Sequence, residues 1–309
     1  SANAIGGLGS GVFINKENAQ EMPQKALYMS NQFMGEKPFL SWKEEAYMIV
    51  CAVAVNSVTV YNIETYDPLA KHTAESIVMR PQQTLSNGES HKHREMESQV
   101  VRHVDIVGGC NIQSDLNPTW VENSINEVND RHKRSSALTW KGSGIYLAFL
   151  ASKQALDFPL SKVKNAVSKK TKACFWPRLY YIVAKKARWD QDRFQGTSRE
   201  EGSSKKRVGK VKAIGRAIEL ILQKATRLYQ PSIEGFPPKR PLMKDLAENN
   251  HQQQDLAVPY RTSIISLPRA LQKGMILVQK NQLTVLNKCI LQKLERKTQM
   301  EKKLDDYVS

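Results

Sequence analysis

Val211 to Leu228 reads VKAIGRAIELILQKATRL, and the fold class the sequence predicts rests on it. Val211, Ile214, Ile218, Ile221, Ala225 and Leu228 recur every three or four positions, while Lys212, Arg216, Lys224 and Arg227 fall off that stripe. Apolar residues at this spacing share one face of a helix with 3.6 residues per turn, so the segment predicts an amphipathic helix lying on a core. Upstream, Pro177 to Trp189 (PRLYYIVAKKARW) opens on a proline suited to a first helical turn. It sends Leu179, Ile182 and Val183 inward and Arg178, Lys185 and Arg188 outward. Ser143 to Ala155 (SGIYLAFLASKQA) is apolar nearly all round and predicts a buried helix. Asn117-Pro118 offers an N-cap and a first-turn proline, with Val121, Ile125 and Val128 following on one helical face. Downstream, four prolines in Pro231 to Pro241 (PSIEGFPPKRP) break the pattern. Ser266 to Pro268 then opens a last helical region, in which Leu283, Leu286, Ile290, Leu294 and Leu304 form a seam too short for a coiled coil.

Residues 1–22 are small and polar and predict an extended arm. Lys25 to Met34 predicts a helix, as does Ser41 to Val55, where Ser41-x-x-Glu44 matches a capping box. Ser57 to Tyr66 (SVTVYNIETY) alternates and is β-branched, which predicts a strand, with Ser76 to Arg80 (SIVMR) as the candidate other half of a hairpin. Gln82 to Glu97 is polar, with a turn at Asn87-Gly88, and Val100 to Val107 (VVRHVDIV) predicts another strand. The expected fold class is therefore mainly α (α+β): a helical body with a small β element near residues 57–107, an extended N-terminal arm and a C-terminal helix. The expected organisation is an arm (1–22), a mixed α/β lobe (23–116), a basic helical lobe (117–230), and a linker plus C-terminal helical region (231–309).

With 309 residues and 40% hydrophobic content, the chain has enough apolar material for a core, which excludes a wholly disordered polymer. Cys51, Cys110, Cys174 and Cys289 lie too far apart for a disulfide framework or a structural zinc site, so reduced thiols are expected. The longest apolar run, Ala46 to Val55, is about half of the roughly 20 residues a bilayer requires. With no secretory leader pattern, these features predict an intracellular setting, cytoplasmic or nuclear, or a virion, and no transmembrane segment.

Charge is concentrated rather than spread. Ser161 to Arg216 holds 17 basic residues against four acidic ones, +13 of the net +16. Phe175, Trp176, Tyr180, Tyr181, Trp189 and Phe194 are interleaved with them. Cations neutralise phosphates, and flat rings stack on bases, a pairing that suits single-stranded nucleic acid. The expected binding residues are Lys164, Lys169, Lys170, Lys172, Arg178, Lys185, Lys186, Arg188, Lys205, Lys206, Arg207 and Arg216, with Trp176, Tyr180 and Trp189 for stacking.

Motifs of catalysis are weak beside this. Gly7, Gly9 and Gly11 have nucleotide-loop spacing, but only Ile5 stands where a buried strand should lead in. His91 and His93 flank Lys92 without a matching carboxylate pattern, and Asp105 ends the expected strand without a partner acid. Arg131-His132-Lys133-Arg134 suits the C-terminus of a helix. The expected function is a non-enzymatic, largely sequence-independent RNA-binding (single-stranded nucleic acid) protein of nucleocapsid or coat type. It would self-assemble along RNA through the N-terminal arm and the C-terminal helix, with no metal and no cofactor. A nucleic-acid-modifying module such as a methyltransferase, and a matrix-like peripheral membrane protein, are the alternatives.

Overall fold

The structure is a computed structural model and describes residues 11, 16–36, 39, 42–51, 57–67, 75–117, 122–131, 143–175, 178–189, 207–229, 267 and 286–308. The chain divides into two compact units. One comprises Trp42–Thr65 and Val78–Val183, the other Ser1–Ser41, Tyr66–Ile77 and Ala184–Ser309.

The first unit is built on strands β1 (Lys43–Cys51), β2 (Ser57–Thr65), β3 (Val78–Arg80), β4 (Gly108–Leu116) and β5 (Asn123–Asn129). They lie side by side in the order β5-β4-β1-β2-β3, antiparallel at each junction. β1 is central: Ala46 stands opposite Ile63 on one side and Gln113 on the other. Side chains alternate between faces along a strand, so the register sorts the sheet into two sides. Helix α2 (Asn87–Val104) covers one side, where Val101 clusters with Ile106, Cys110 and Ile112, flanked by Ile125 and Val128. On the other side Val60, Ile63 and Val78 pack with Ile145 and with Leu147 and Leu150 of α3 (Leu147–Gln154), then with Leu160, Val163 and Val183. Each such side chain, fully buried, contributes on the order of 1.5–3 kcal/mol.

Helix α2 begins with a reciprocal cap. Ser86 Oγ accepts from the Glu89 amide, and the Glu89 carboxylate accepts from the Ser86 amide. It ends at Asp105, whose left-handed backbone (φ 55°) lets its amide donate to the carbonyl of Arg102. A short 3-10 turn, Leu160–Lys162, leads into a hairpin-like turn closed by a bridge between Lys164 and Lys172.

The second unit contains α1 (Lys16–Met29), most of β6 (Ile182–Arg188), β7 (Gly209–Gly215), α4 (Ile218–Tyr229) and α5 (Lys288–Val308). β6 and β7 are neighbours in a sheet, and α4 packs on β7 and on α5. Gly215 turns β7 into α4: a Cβ there would lie 2.9 Å from Ile221 Cγ2 and 3.0 Å from Leu220 Cδ2, so the close approach needs glycine. Buried Glu75 ties this unit together, accepting from the indole of Trp189 and, at 3.0 Å, from the amide of Arg207.

A helical body is thus not what the chain forms. The fold is α+β, carried by antiparallel strands. Within the helix expected over Ser41 to Val55, Lys43–Cys51 is central strand β1, paired on both edges, because a short continuous apolar run fits a central strand as well as a buried helix. The helix expected from Asn117-Pro118 is instead strand β5, that of Pro177 to Trp189 is β6, and the first third of Val211 to Leu228 is β7. Conversely, the polar stretch from Asn87 and the expected strand Val100 to Val107 are one helix, α2, and its last turn. Nor is the N-terminal arm extended to residue 22, since Lys16 onward is helical; the remainder of the arm, apart from Gly11, lies outside the described residues, as does the proline-rich segment 231–241. Strands 57–66 and 76–80, the helix within 143–155 and the C-terminal helix stand where expected.

Glu64 anchors the segment joining β3 to α2. Fully buried, it accepts from the amides of Gln83 and Thr84 and from the Thr84 hydroxyl, and pairs with Lys43 at 2.6 Å. Replacing it by alanine strands a mostly buried lysine together with two amides, and Glu64→Ala is expected to lower stability by about 3–5 kcal/mol in urea unfolding.

Candidate functional site

Strands β4 and β5 bring polar side chains together in the first unit. Gln113 stands directly opposite Glu127, and Asn111 opposite Asn129. Opposed residues share a face, so two pairs separated by two positions make one polar patch of three amides and a carboxylate. Asn111, Gln113 and Asn129 are buried while Glu127 is exposed. The Nδ2 of Asn129 has no hydrogen-bond partner among the described residues, which is unusual for a buried amide.

A β-bulge creates this patch. Gln113 pairs with Glu127 but Ser114 pairs with Ile125, so Asn126 is extra. In a regular strand Ile125, Glu127 and Asn129 would point the same way. The extra residue reverses the phase, sending Ile125 and Val128 toward α2 and leaving Glu127 and Asn129 on the opposite side.

Behind the patch, on the α2 side, three fully buried polar residues meet. Ser114 Oγ donates to Glu97 Oε1 at 3.1 Å and lies 3.3 Å from His93 Nδ1. A hydroxyl has one proton, so once it is given to the carboxylate, His93 must donate from Nδ1. Burial pushes the His93 imidazole down to about 4; Glu89 opposes this, and Lys43 and Lys92 add to it.

The residues expected to bind nucleic acid are divided between the units. Lys164, Lys169, Lys170, Lys172 and Arg178 are exposed in the first, with Tyr180 at 81% exposure. In the second, Arg188 and Arg216 are exposed and Arg207 is half-buried. Lys185 and Lys186 are interior to β6, and Trp189 is buried on Glu75. Trp176, Lys205 and Lys206 lie outside the described residues. His91 and His93 both lie on α2, the first exposed beside Arg94, the second buried; Asp105 serves as a helix cap. The glycine cluster from Gly6, apart from Gly11, is outside the described residues, as are residues 132–134. No group of three or more His, Cys, Asp or Glu able to hold a metal occurs among the described residues. The Gln113, Glu127 and Asn129 set was missed because periodicity placed residues 117–128 on a helix, where those side chains would not meet.

Residues 1–163 match the family described as carbamoyl-phosphate synthase L chain, ATP binding domain, more than half of the sequence. The chain belongs to the carbamoyl-phosphate synthase large-chain family. Residues 210–309 match that family's large-chain oligomerisation domain. The chain is 47% identical over 304 residues to the mitochondrial carbamoyl-phosphate synthase (ammonia) of Homo sapiens, and 42% identical over 310 residues to the mitochondrial arginine-specific large chain of Schizosaccharomyces pombe. It spans 20% and 26% of their lengths. Among solved structures, the biotin carboxylase domain of the Hydrogenobacter thermophilus 2-oxoglutarate carboxylase is similar at a TM-score of 0.52 and 9% identity, over 74% of this chain and 55% of that one. Its fold is the ATP-grasp-like, α+β arrangement of biotin carboxylases.

This membership overturns the nucleocapsid expectation and both alternatives, the methyltransferase module and the matrix-like protein. It also overturns RNA as partner, together with assembly along it through the arm and the C-terminal helix. Concentrated positive charge and nearby aromatics are a general feature of surfaces and cores, and they carried no information about this family. An intracellular setting agrees with relatives named mitochondrial, whereas nothing supports a virion. No helix among the described residues is long and apolar enough to cross a membrane.

An unfolded histidine titrates near 6.5, so between about pH 6.5 and 4 the unfolded chain holds more protons than the folded one. The stability linked to neutral His93 is complete above that window and is lost as pH falls through it, by up to about 1.4 kcal/mol per pH unit. Glu97, Glu89, Lys43 and Lys92 are the charged groups around the ring. His93→Gln should flatten this slope when chemical unfolding is measured across the window, relative to the parent chain.

Proposed function

We propose that the chain supplies part of the ATP-binding domain, and then the oligomerisation domain, of a carbamoyl-phosphate synthase large chain. Gln113, Glu127 and Asn129 are the residues that would hold a divalent cation arriving with the nucleotide phosphates. The observation that carries this proposal is the paired face of β4 and β5, where a carboxylate stands opposite an amide and the buried Asn129 amide lacks a hydrogen-bond partner among the described residues. The donor set fits the group. Hard divalent cations such as magnesium take oxygen ligands, and commonly only one or two carboxylates, with phosphate oxygens and water completing the shell. One carboxylate among neutral amides suits a cation that comes with its own anion better than a resident metal. When bound, such a cation neutralises phosphate charge and orients the phosphoryl group to be transferred.

Within the chain, Glu127 supplies the negative charge, and its exposure leaves room for an incoming ligand. Gln113 presents an amide oxygen from the strand opposite, and Asn129 presents either its oxygen or its amide hydrogens by a flip of the terminal torsion. The sheet fixes their separation, because neighbouring strands stay about 4.8 Å apart. For the assembled enzyme the proposed reaction is the one its relatives are named for, synthesis of carbamoyl phosphate. The part of the chain matching the oligomerisation domain would contribute to assembly of that enzyme.

Manganese is a paramagnetic probe of such a site. With ATP present, Mn²⁺ binding followed by electron paramagnetic resonance is expected to weaken about tenfold or more in Glu127→Ala and to stay unchanged in the hairpin variant Lys164→Ala. Equal affinity in Glu127→Ala and the parent chain would refute the assignment.

A further inference from the structure

We propose that the buried His93–Ser114–Glu97 array is a positioning device for the cation-holding face, fixing the β-bulge that sets Glu127 beside Gln113. The inference rests on the role given above to Gln113, Glu127 and Asn129.

Geometry links the two sides of the sheet. Ser114 is the residue at which the β4–β5 register shifts: its neighbour Gln113 pairs with Glu127, while Ser114 itself pairs with Ile125. Consecutive side chains of β4 point to opposite faces, so whatever holds Ser114 also holds the backbone that presents Gln113. If the extra residue moved one step toward Leu116, Ser114 would pair with Asn126 and Ile125 would become the unpaired residue, putting a polar side chain where Ile125 packs under α2. If it moved toward Asn111, Gln113 would lose Glu127 as its partner. The patch and the packing of Ile125 behind it therefore coexist only while the bulge stays at Ser114.

Apolar packing alone does not fix that position. Cys110 and Ile112 bury themselves against α2 without directional preference. The hydroxyl of Ser114 does have direction. It donates to Glu97 and accepts from His93, two residues four apart on α2 that grip it from successive turns. All three side chains are fully buried, so a shift of Ser114 along α2 would break two hydrogen bonds where water cannot replace them.

Ser114→Ala is nearly isosteric and removes both bonds. Glu97→Gln keeps an oxygen acceptor for the hydroxyl and serves as the conservative control. In the full chain with ATP, Mn²⁺ affinity is expected to fall about tenfold in Ser114→Ala and to stay within about twofold in Glu97→Gln. Without metal, amide exchange in Ser114→Ala should accelerate at Gln113 to Asp115 and at Ile125 to Glu127, with the amides of α3 unaffected. A lower melting temperature in Ser114→Ala with parental Mn²⁺ affinity would overturn the inference, leaving the array a stability element. Loss of binding in Glu127→Ala combined with unchanged Ser114→Ala would sink it while leaving the metal face standing. A parent chain that binds no Mn²⁺ with ATP would remove both.

Discussion

Two demands conflict in β5. Ile125 and Val128 must both reach the core under α2, yet Glu127 and Asn129 must stand with Gln113 and Asn111 on the opposite face. Strict alternation cannot place residues three apart on one side of a strand. One unpaired residue, Asn126, reconciles them, and both the apolar contacts on the α2 side and the polar patch on the other follow from it. β4, paired with β1 along its whole length, supplies the rigid edge against which the bulge is formed.

The same bulge explains why this part of the fold was not legible. Val121, Ile125 and Val128 have the spacing of a helix, and a strand carrying one extra residue imitates that period over its few positions. The error at β1 has another cause: a strand that pairs on both sides of a sheet covered on both faces carries apolar residues without alternation. At α2 the informative signal was local. Ser86 and Glu89 form the capping box that starts the helix, and it lay within a stretch whose polarity suggested a loop. Alternation at Ser57 to Tyr66 and the presence of a C-terminal helix were legible because each element shows its intrinsic period over several turns or residue pairs.

Of the candidate site, the sequence displayed none of the pairings that matter. Gln113 and Glu127 are fourteen positions apart, and only a register brings them together. The concentrated basic charge was real but pointed elsewhere. Lys185 and Lys186 are buried in β6 and Trp189 is consumed by Glu75, so proximity along the chain did not mean a common surface. The lysines that do remain outside sit on the turn around Asn165, whose side chain accepts from the amides of Val167 and Ser168 and so fixes the local backbone. A tight turn projects its side chains into water whatever their charge, and lysine is inexpensive there.

Burying histidine, serine and glutamate together beneath a sheet carries a desolvation penalty that apolar residues of similar size would avoid. On stability alone, valine at 114 facing leucine at 97 should serve as well, since Cys110 and Ile112 already pack in this way beside them. What the polar array adds is direction: a hydroxyl held between a ring nitrogen and a carboxylate has one position along α2, whereas methyl groups have several of nearly equal energy. Placement of Gln113 through its neighbour requires that kind of selectivity, because a patch assembled across two strands fails with a slip of a single residue. The cost of the buried polar groups and the existence of the bulge are therefore parts of one arrangement, with α2 holding from behind what β4 and β5 present in front.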